Sequence, residues 1–409
     1  SKGFALLVIA LDGFQEITSA FGHHYGDLLL QEIGPCVRAA LRESDILARL
    51  GGEQFAVLVP ACDQTSDALT AAGRILKCLE KPFALEGRVV TVEASAGIAL
   101  YPEHGAGAET LLRHADVAMY AAKRDRSRYA LYAAEQDADT AGRLMLTAEL
   151  RQAIERAEFV LHYQPKVDFK TGRLTAVESL VRWQHPQRGL MPPDSFIPLA
   201  EQTGLIQPLT EWVMAEGLRQ CRAWHDAGLL IAVAINQSMG NLYDPGLPAH
   251  IAELLDRHGV QPAHLTIEIT ESMIMAHPRR AMEIISRLSE MGISLSIDDF
   301  GTGYSSLGYL KRLPAKEIKV DKSFVADMLM DENDATIVRS TIDLAHNLGL
   351  KVVAEGVETR EMWNALAELG CDGAQGYYVA KPMPAAELEQ WAQDSPFGWT
   401  GDRVTDIPG

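Results

Sequence analysis

No apolar run in the chain approaches the ~18 residues that a bilayer-spanning helix needs. The amino terminus also lacks the basic, apolar and small-residue succession of a secretory signal. These absences give the expectation of a cytoplasmic chain with no membrane contact of its own. The chain opens at Ser1 and enters a strand-like stretch at Phe4. We therefore read it as a piece of something longer, whose other parts could hold a sensor or a membrane anchor. Cysteine is scarce: Cys36, Cys62, Cys78, Cys221 and Cys371 are odd in number and show no CxxC spacing. That excludes a disulfide framework and points to reduced thiols. Positive charge is short as well, with 37 Lys and Arg against 55 Asp and Glu, a net charge of -18. A general surface for a nucleic-acid polymer is thereby excluded, and an anionic ligand would need local cations. What remains is an ordinary globular composition, 47% hydrophobic over 409 residues, enough for two or three domains.

Residues 175–380 repeat one pattern, a short apolar stretch closed by an acid or amide. The stretches are Thr175-Ala-Val-Glu178, Ile231-Ala-Val-Ala-Ile-Asn236, Leu265-Thr-Ile-Glu268, Ile293-Ser-Leu-Ser-Ile-Asp298-Asp299, Ile318-Lys319-Val-Asp321 and Val352-Val-Ala-Glu355. Helix-like segments separate most of them. Repeated strand-then-helix units imply parallel strands closing into a TIM-like (β/α)8 barrel, whose chemistry sits at the carboxyl ends of the strands. Several carboxylates in one cup repel one another unless cations lie among them, so this half reads as a metal-dependent active site.

The first half reads differently. Strands are expected at Phe4–Leu11, Ile46–Leu50, Phe55–Val59, Val89–Leu100 and Tyr129–Tyr132, with helices over Glu16–Leu41, Ser66–Leu79 and Leu111–Lys123. The order implies an α+β domain with a central antiparallel sheet. The Ala-, Glu-, Leu- and Arg-rich stretch from residue 134 predicts a helical connector, which transmits orientation better than a floppy linker. The expected division is a first domain over 1–133, the connector over 134–148 and the barrel over 149–398.

The segments Glu178-Ser-Leu-Val-Arg-Trp183, Asn236-Gln-Ser238, Glu268-Ile-Thr-Glu-Ser272, Asp298-Asp-Phe-Gly-Thr-Gly-Tyr-Ser-Ser-Leu307, Ile318-Lys-Val-Asp321, Ala354-Glu-Gly-Val-Glu358 and Gln375-Gly-Tyr377 follow one another in this order. Together they resemble the EAL family, cyclic di-GMP phosphodiesterases and their inactive relatives. The signature triplet here is Glu-Ser-Leu instead of Glu-Ala-Leu, with Ser179 in the middle. The resemblance implies that Glu178, Asn236, Glu268 and Asp298 surround one divalent ion, with Asp298 bridging to a second that Asp299 also holds. Hard oxygen ligands suit Mg²⁺ or Mn²⁺, two ions in all. Lys319 resembles the family lysine that touches the nucleophilic water, and Glu355 the glutamate that orients that water or accepts its proton. Glu271 resembles the anchor of the mobile loop Asp299–Leu307. Gln164, Arg182, the Pro198–Glu201 turn, Asp321, Glu358 and Gln375 are the implied substrate and water-network contacts. Taken singly, each strand-end acid is more often a solvated group. Their joint occurrence with Asn236 and Lys319 reverses that reading.

In the first half, Gly51-Gly-Glu-Gln-Phe55, Leu11-Asp-Gly-Phe14, Phe21-Gly-His23, Gly26-Asp27 and Ala115-Asp-Val-Ala-Met-Tyr120 resemble the GGDEF family of diguanylate cyclases, with its opening segment missing. The departures fall where that chemistry is done. Ala10 replaces the metal-holding aspartate, Gln54 the last acid of the turn, Gln15 a phosphate-side lysine and Thr18 a guanine-reading asparagine. Arg126-Ser-Arg128 replaces Gly-Arg-Asn. Methyl and amide groups cannot supply carboxylate ligation, so no cyclase activity is expected. Arg42-Glu-Ser-Asp45 resembles the family's RxxD inhibitory site for cyclic di-GMP. The bland alternative is an exposed turn salt bridge worth at most ~1 kcal/mol. The combined expectation is a phosphodiesterase converting cyclic di-GMP to pGpG, a regulatory first domain, and a homodimer through the barrel. Two rivals stand beside it: a non-catalytic cyclic di-GMP receptor, and a bifunctional cyclase and hydrolase, which Ala10 and Gln54 oppose.

Overall fold

Strand β1 (Phe4–Asp12) is apolar almost throughout because both of its faces are covered. Ala5, Leu7, Ile9 and Leu11 join the cluster with Leu29, Ile33, Ala72 and Ile75, from helices His23–Ala40 and Thr65–Leu79. Val8 and Ala10 face the other way, onto Leu111, Ala115 and Met119 of helix Ala108–Arg124. The computed structural model describes residues 3–14, 17–18, 22–60, 62, 64–125, 127–301 and 307–398. Chain contacts divide into two units, Ser1–Met145 and Leu146–Gly409, and the boundary falls inside helix Ala134–Glu155.

The first unit is a five-stranded sheet in the order β2-β3-β1-β6-β7, with β2 Ile46–Gly51, β3 Gln54–Pro60, β6 Glu93–Tyr101 and β7 Tyr129–Leu131. Its pairings are antiparallel except β6–β7. That pair is parallel because helix Ala108–Arg124 carries the chain back across the sheet. The strand expected over Val89–Leu100 is broken. Residues 83–90 form a small arm, β4 (Phe83–Leu85) with β5 (Arg88–Val90), turned at Glu86 and Gly87 with φ of 47° and 82°. The mostly helical span expected over Glu16–Leu41 is broken at Gly22, φ 91°: Ile17 and Thr18 are helical before it, and helix His23–Ala40 follows. Gly97 sits mid-strand because the helix lies on it: a Cβ there would meet Ala115 O at 1.9 Å. All five cysteines are free, and the Cys36 thiol donates to Cys78 Sγ at 2.7 Å.

The second unit is a closed eight-stranded barrel: β8 Phe159–Asp168, β9 Arg173–His185, β11 Ala232–Asn236, β12 Leu265–Thr270, β13 Ser294–Phe300, β14 Glu317–Val320, β15 Lys351–Ala354 and β16 Gly373–Ala374. A short β10 (Gly189–Met191) extends β9 at the rim. From β9 to β16 the neighbours are parallel, and helices between them pack onto one core. The uniformly parallel arrangement expected from the sequence fails at one strand, since β8 runs antiparallel to both β9 and β16. Only Phe169–Gly172 join β8 to β9, too few residues for a parallel crossover. Gly172 takes φ 65° in that turn, and its N–H donates to the Asp168 carbonyl at 2.8 Å.

Candidate active site

Each of the eight barrel strands delivers one polar side chain to the same mouth. Gln164 comes from β8, Glu178 from β9, Asn236 from the end of β11, Glu268 from β12, Asp298 from β13 and Lys319 from β14. Glu355 and Gln375 stand one residue past β15 and β16, and their N–H groups still donate to Val320 O at 3.1 Å and Ala354 O at 2.9 Å. The parallel ladder thus fixes their depth.

Asp298 and Asp299 are consecutive, so a regular strand would send them to opposite faces. The β13–β14 register shifts between Ile297 and Phe300, and Asp299 takes a left-handed φ of 52°. This bulge re-aims the second acid. Oxygens of Asp298, Asp299 and Glu355 consequently lie within 4.8 Å of one another.

At the centre stands the Lys319 ammonium, fully buried. It meets Glu355 Oε1 at 2.5 Å, Asp298 Oδ1 at 3.1 Å, Glu268 Oε2 at 3.2 Å and Glu178 Oε2 at 3.5 Å. Burial works against this ammonium, but the four carboxylates outweigh it and raise its pKa. Glu178 feels burial too. Lys319, Lys166 and amide bonds from Gln375 (2.5 Å) and Asn236 (2.7 Å) nevertheless bring it down to about 2. Burial dominates at Glu268, raised to about 7, and at Glu355, raised to about 8. Asp299 is raised by burial and by the negative Asp298 and Asp321 beside it. Two lysines, Lys319 and Lys166, stand among Glu178, Glu268, Asp298, Asp299, Glu317 and Glu355, so acids outnumber the cations. The donor set is all hard oxygen once the Asn236 amide turns its oxygen inward. This chemistry fits divalent cations such as Mg²⁺ or Mn²⁺.

One charged group here was not anticipated from the sequence. Lys166 on β8 is fully buried, its Nζ 2.5 Å from Glu268 Oε1 and 3.5 Å from Glu317 Oε1. Ser296 Oγ donates to that same Glu317 oxygen at 2.8 Å. Lys166 therefore holds one oxygen of Glu268 and leaves the other for the mouth. A lysine set between Pro165 and Val167, two residues after Gln164, is the available sequence signal. Lys166→Met should lower barrel stability by about 3–5 kcal/mol in urea unfolding, because Glu268 and Glu317 lose their buried counter-charge. A change below about 1 kcal/mol would show that the pair is not compensated this way.

The remaining expected contacts divide into two groups. Glu271 is buried, and Gly301 N–H donates to its Oε2 at 3.4 Å, at the entry to the loop. Residues 302–306 of that loop lie outside the described residues, as do Gln15, Phe21 and Arg126. Gln164 accepts from Gln375 at 2.9 Å and donates to Ala380 O at 3.2 Å, so it braces the network. Arg182 is half-buried and donates to Val181 O at 2.9 Å. Pro198 is exposed at the rim. Asp321 caps helix Lys322–Asp327 by accepting from Ser323 N–H. Glu358 is exposed, with no partner recorded among the described residues.

In the first unit, Ala10 and Gln54 are direct cross-strand neighbours, so both substitutions fall at one spot. The Gln54 amide donates to Asp116 Oδ1 at 3.5 Å. The hairpin turns at Gly51 and Gly52, with φ of 146° and 49°. Asp45 is buried, and its Oδ2 accepts from Arg42 N–H at 2.8 Å while Arg42's side chain is exposed. The expected RxxD pair thus lies in a turn that the Asp45 carboxylate caps, with the Arg42 side chain exposed.

Residues 147–382 match the model of the EAL domain, and residues 1–128 match that of the diguanylate cyclase, GGDEF domain. Among curated proteins, the chain is 45% identical over 389 residues to the bifunctional diguanylate cyclase/cyclic di-GMP phosphodiesterase MucR of Pseudomonas aeruginosa, covering 95% of this chain and 57% of MucR. It is 38% identical over 388 residues to the cyclic di-GMP phosphodiesterase PdeR of Escherichia coli, covering 94% and 58%. The chain thus spans less than two thirds of these relatives. Among solved structures, the PaMucR phosphodiesterase in complex with c-di-GMP is 48% identical, with a TM-score of 0.58, covering 60% of this chain and 99% of that one.

Proposed function

The chain belongs to the EAL family, with a GGDEF domain ahead of the barrel, and from that premise we propose that it hydrolyses cyclic di-GMP to linear pGpG with two divalent ions. The supporting observation is the complete mouth: one polar group from every strand, centred on Lys319 and its four carboxylates. Glu178, Asn236, Glu268 and Asp298 would hold one ion, and Asp298 with Asp299 the second. Bound there, Mg²⁺ or Mn²⁺ supplies a more acidic water and offsets charge on the phosphodiester oxygens.

This chain's own groups do the rest. Hydrolysis joins the water oxygen to phosphorus, breaks the P–O3′ bond and leaves a proton on the departing 3′ oxygen. Glu355, raised to about 8 by burial, is the carboxylate placed to carry that proton near neutral pH. Lys319 keeps Glu355 in place at 2.5 Å and offsets negative charge at the reacting centre. Gln375 and Gln164 hold Glu178, and Arg182 has the fork geometry for a phosphate.

The GGDEF unit makes no cyclic di-GMP in this reading, because Ala10 and Gln54 remove two acids from one spot. It serves a regulatory or dimerising role, and the protein acts as a homodimer through the barrel. Chromatography of products after incubation with Mg²⁺ or Mn²⁺ tests the proposal. Cyclic di-GMP should give pGpG, GTP should give no cyclic dinucleotide, and Glu178→Ala should cut turnover by about two to three orders of magnitude. Binding without turnover would support the receptor instead. Product from GTP would overturn the assignment of the first unit.

A further inference from the structure

In the first unit, helices His23–Ala40 and Thr65–Leu79 meet through two thiols. Cys36 Sγ donates to Cys78 Sγ at 2.7 Å and to the Cys78 carbonyl at 3.2 Å. Side chains that only pack together are satisfied at heavy-atom separations of about 4 Å, and these sulfurs stand well inside that distance. A disulfide has a sulfur separation of about 2.05 Å, so a movement of less than ~1 Å closes one. Access differs among the cysteines as well. Cys62, Cys221 and Cys371 are buried, whereas Cys36 and Cys78 are both partly exposed, so a small oxidant can reach this pair.

Burial and the neighbouring Cys36 push the Cys78 thiol up to about 12, and Lys81 offsets this only in part. The thiolate is the reactive form, so the resting pair is a dithiol that air oxidises slowly. A stronger oxidant changes the balance. Once one sulfur is oxidised, the other is already in contact, and an oriented intramolecular partner outcompetes any free thiol.

We propose that Cys36 and Cys78 form a modification site, a dithiol that a hydroperoxide converts reversibly into a disulfide between the two helices. The O–O bond of the hydroperoxide breaks. One oxygen goes to the first sulfur, giving a sulfenic acid, and the other leaves as an alcohol or water. The second sulfur then attacks the first, the S–O bond breaks, and the hydroxyl leaves as water with the second thiol's proton. Two electrons pass from the sulfur pair to the peroxide, and a dithiol reductant returns them. The new bond closes a loop over residues 37–77, which carries β2, β3 and the hairpin turn at Gly51 and Gly52. Strand β2 is the edge of the sheet and mostly exposed, so this hairpin has the least packing to hold it. A cross-link at its base restrains the opened chain. Oxidation therefore stiffens the first unit, whatever the barrel hydrolyses.

The test exposes the fully reduced 409-residue chain to a small excess of hydrogen peroxide and maps its peptides by mass spectrometry. Cys36 and Cys78 should appear in one linked peptide, lighter by two hydrogens. The unfolded chain should lose two of its five titratable thiols, and dithiothreitol should restore them. Backbone amides within residues 37–77 should exchange about 10-fold or more slowly after oxidation. Cys78→Ala treated in the same way should show neither the link nor the slowing. Sulfinic acid at either cysteine with no linked peptide would overturn the proposal and leave the thiols as a packing contact. A bond joining two copies of the chain, or one to a different cysteine, would overturn it too. The linked peptide is read in the wild type, so the result decides even where Cys78→Ala fails to fold.

Discussion

Lys319→Met should lose about two to three orders of magnitude in turnover and become dependent on divalent ions for its stability. The catalytic loss follows from removing a positioned charge beside the reacting centre. The second effect follows from burial. Lys319 is fully buried and sits within 3.5 Å of Glu178, Glu268, Asp298 and Glu355. Without it those acids lose their common counter-charge, a loss on the order of 3–5 kcal/mol for a broken buried pair. Divalent ions can replace the charge, so Mn²⁺ should raise the melting temperature of Lys319→Met more than that of the wild type. Parallel thermal melts with and without Mn²⁺ check this. Equal ion-induced shifts in the two proteins would show that lysine and metal do not share the same acids.

Between pH 6.5 and 8.5 the ion-free barrel should lose stability as pH rises, and saturating Mn²⁺ should flatten the dependence. Glu268 and Glu355 are raised by burial to about 7 and about 8, against an ordinary value of 4.5. In the unfolded chain both ionise near 4.5, whereas in the fold they keep their protons to about 7–8. Their contribution is therefore fully present below 4.5 and lost as pH rises through the folded values. Other groups set the limits of the window. Glu178, lowered to about 2, loses its contribution only in acid. His104, His162 and His264 are lowered by burial and act in the opposite direction, but only below about 6.5. Cys78, Cys221 and Cys371 are pushed up to about 12 and matter only near and above 9. Ions that hold the acids ionised remove the penalty, so a slope that persists unchanged in saturating Mn²⁺ would contradict the assignment of these acids as ligands.

The acids of the mouth were legible because a strand-then-helix alternation places the last polar residue of each strand at one end of a barrel. Asn236, Glu268 and Asp298 are read that way from local sequence alone. Lys166 was not, because its importance comes from β8 lying across from β12 and β14, a relation set by barrel closure. The reversed direction of β8 leaves a single trace in the sequence, the Phe169–Gly172 link that is too short for a parallel crossover. The arm at residues 83–90 escaped because Glu86, a non-glycine residue, takes the left-handed backbone. Asp45 shows how one spacing carries two meanings: the separation from Arg42 that resembles a ligand site also lets the carboxylate cap the turn between them.

The most direct measurement is an anomalous-scattering map of the protein crystallised with Mn²⁺ and a non-hydrolysable cyclic di-GMP analogue. Two manganese peaks should lie among Glu178, Asn236, Glu268, Asp298 and Asp299, with a phosphate of the ligand against them. A mouth that binds the analogue but shows no manganese at saturating concentration would contradict the account.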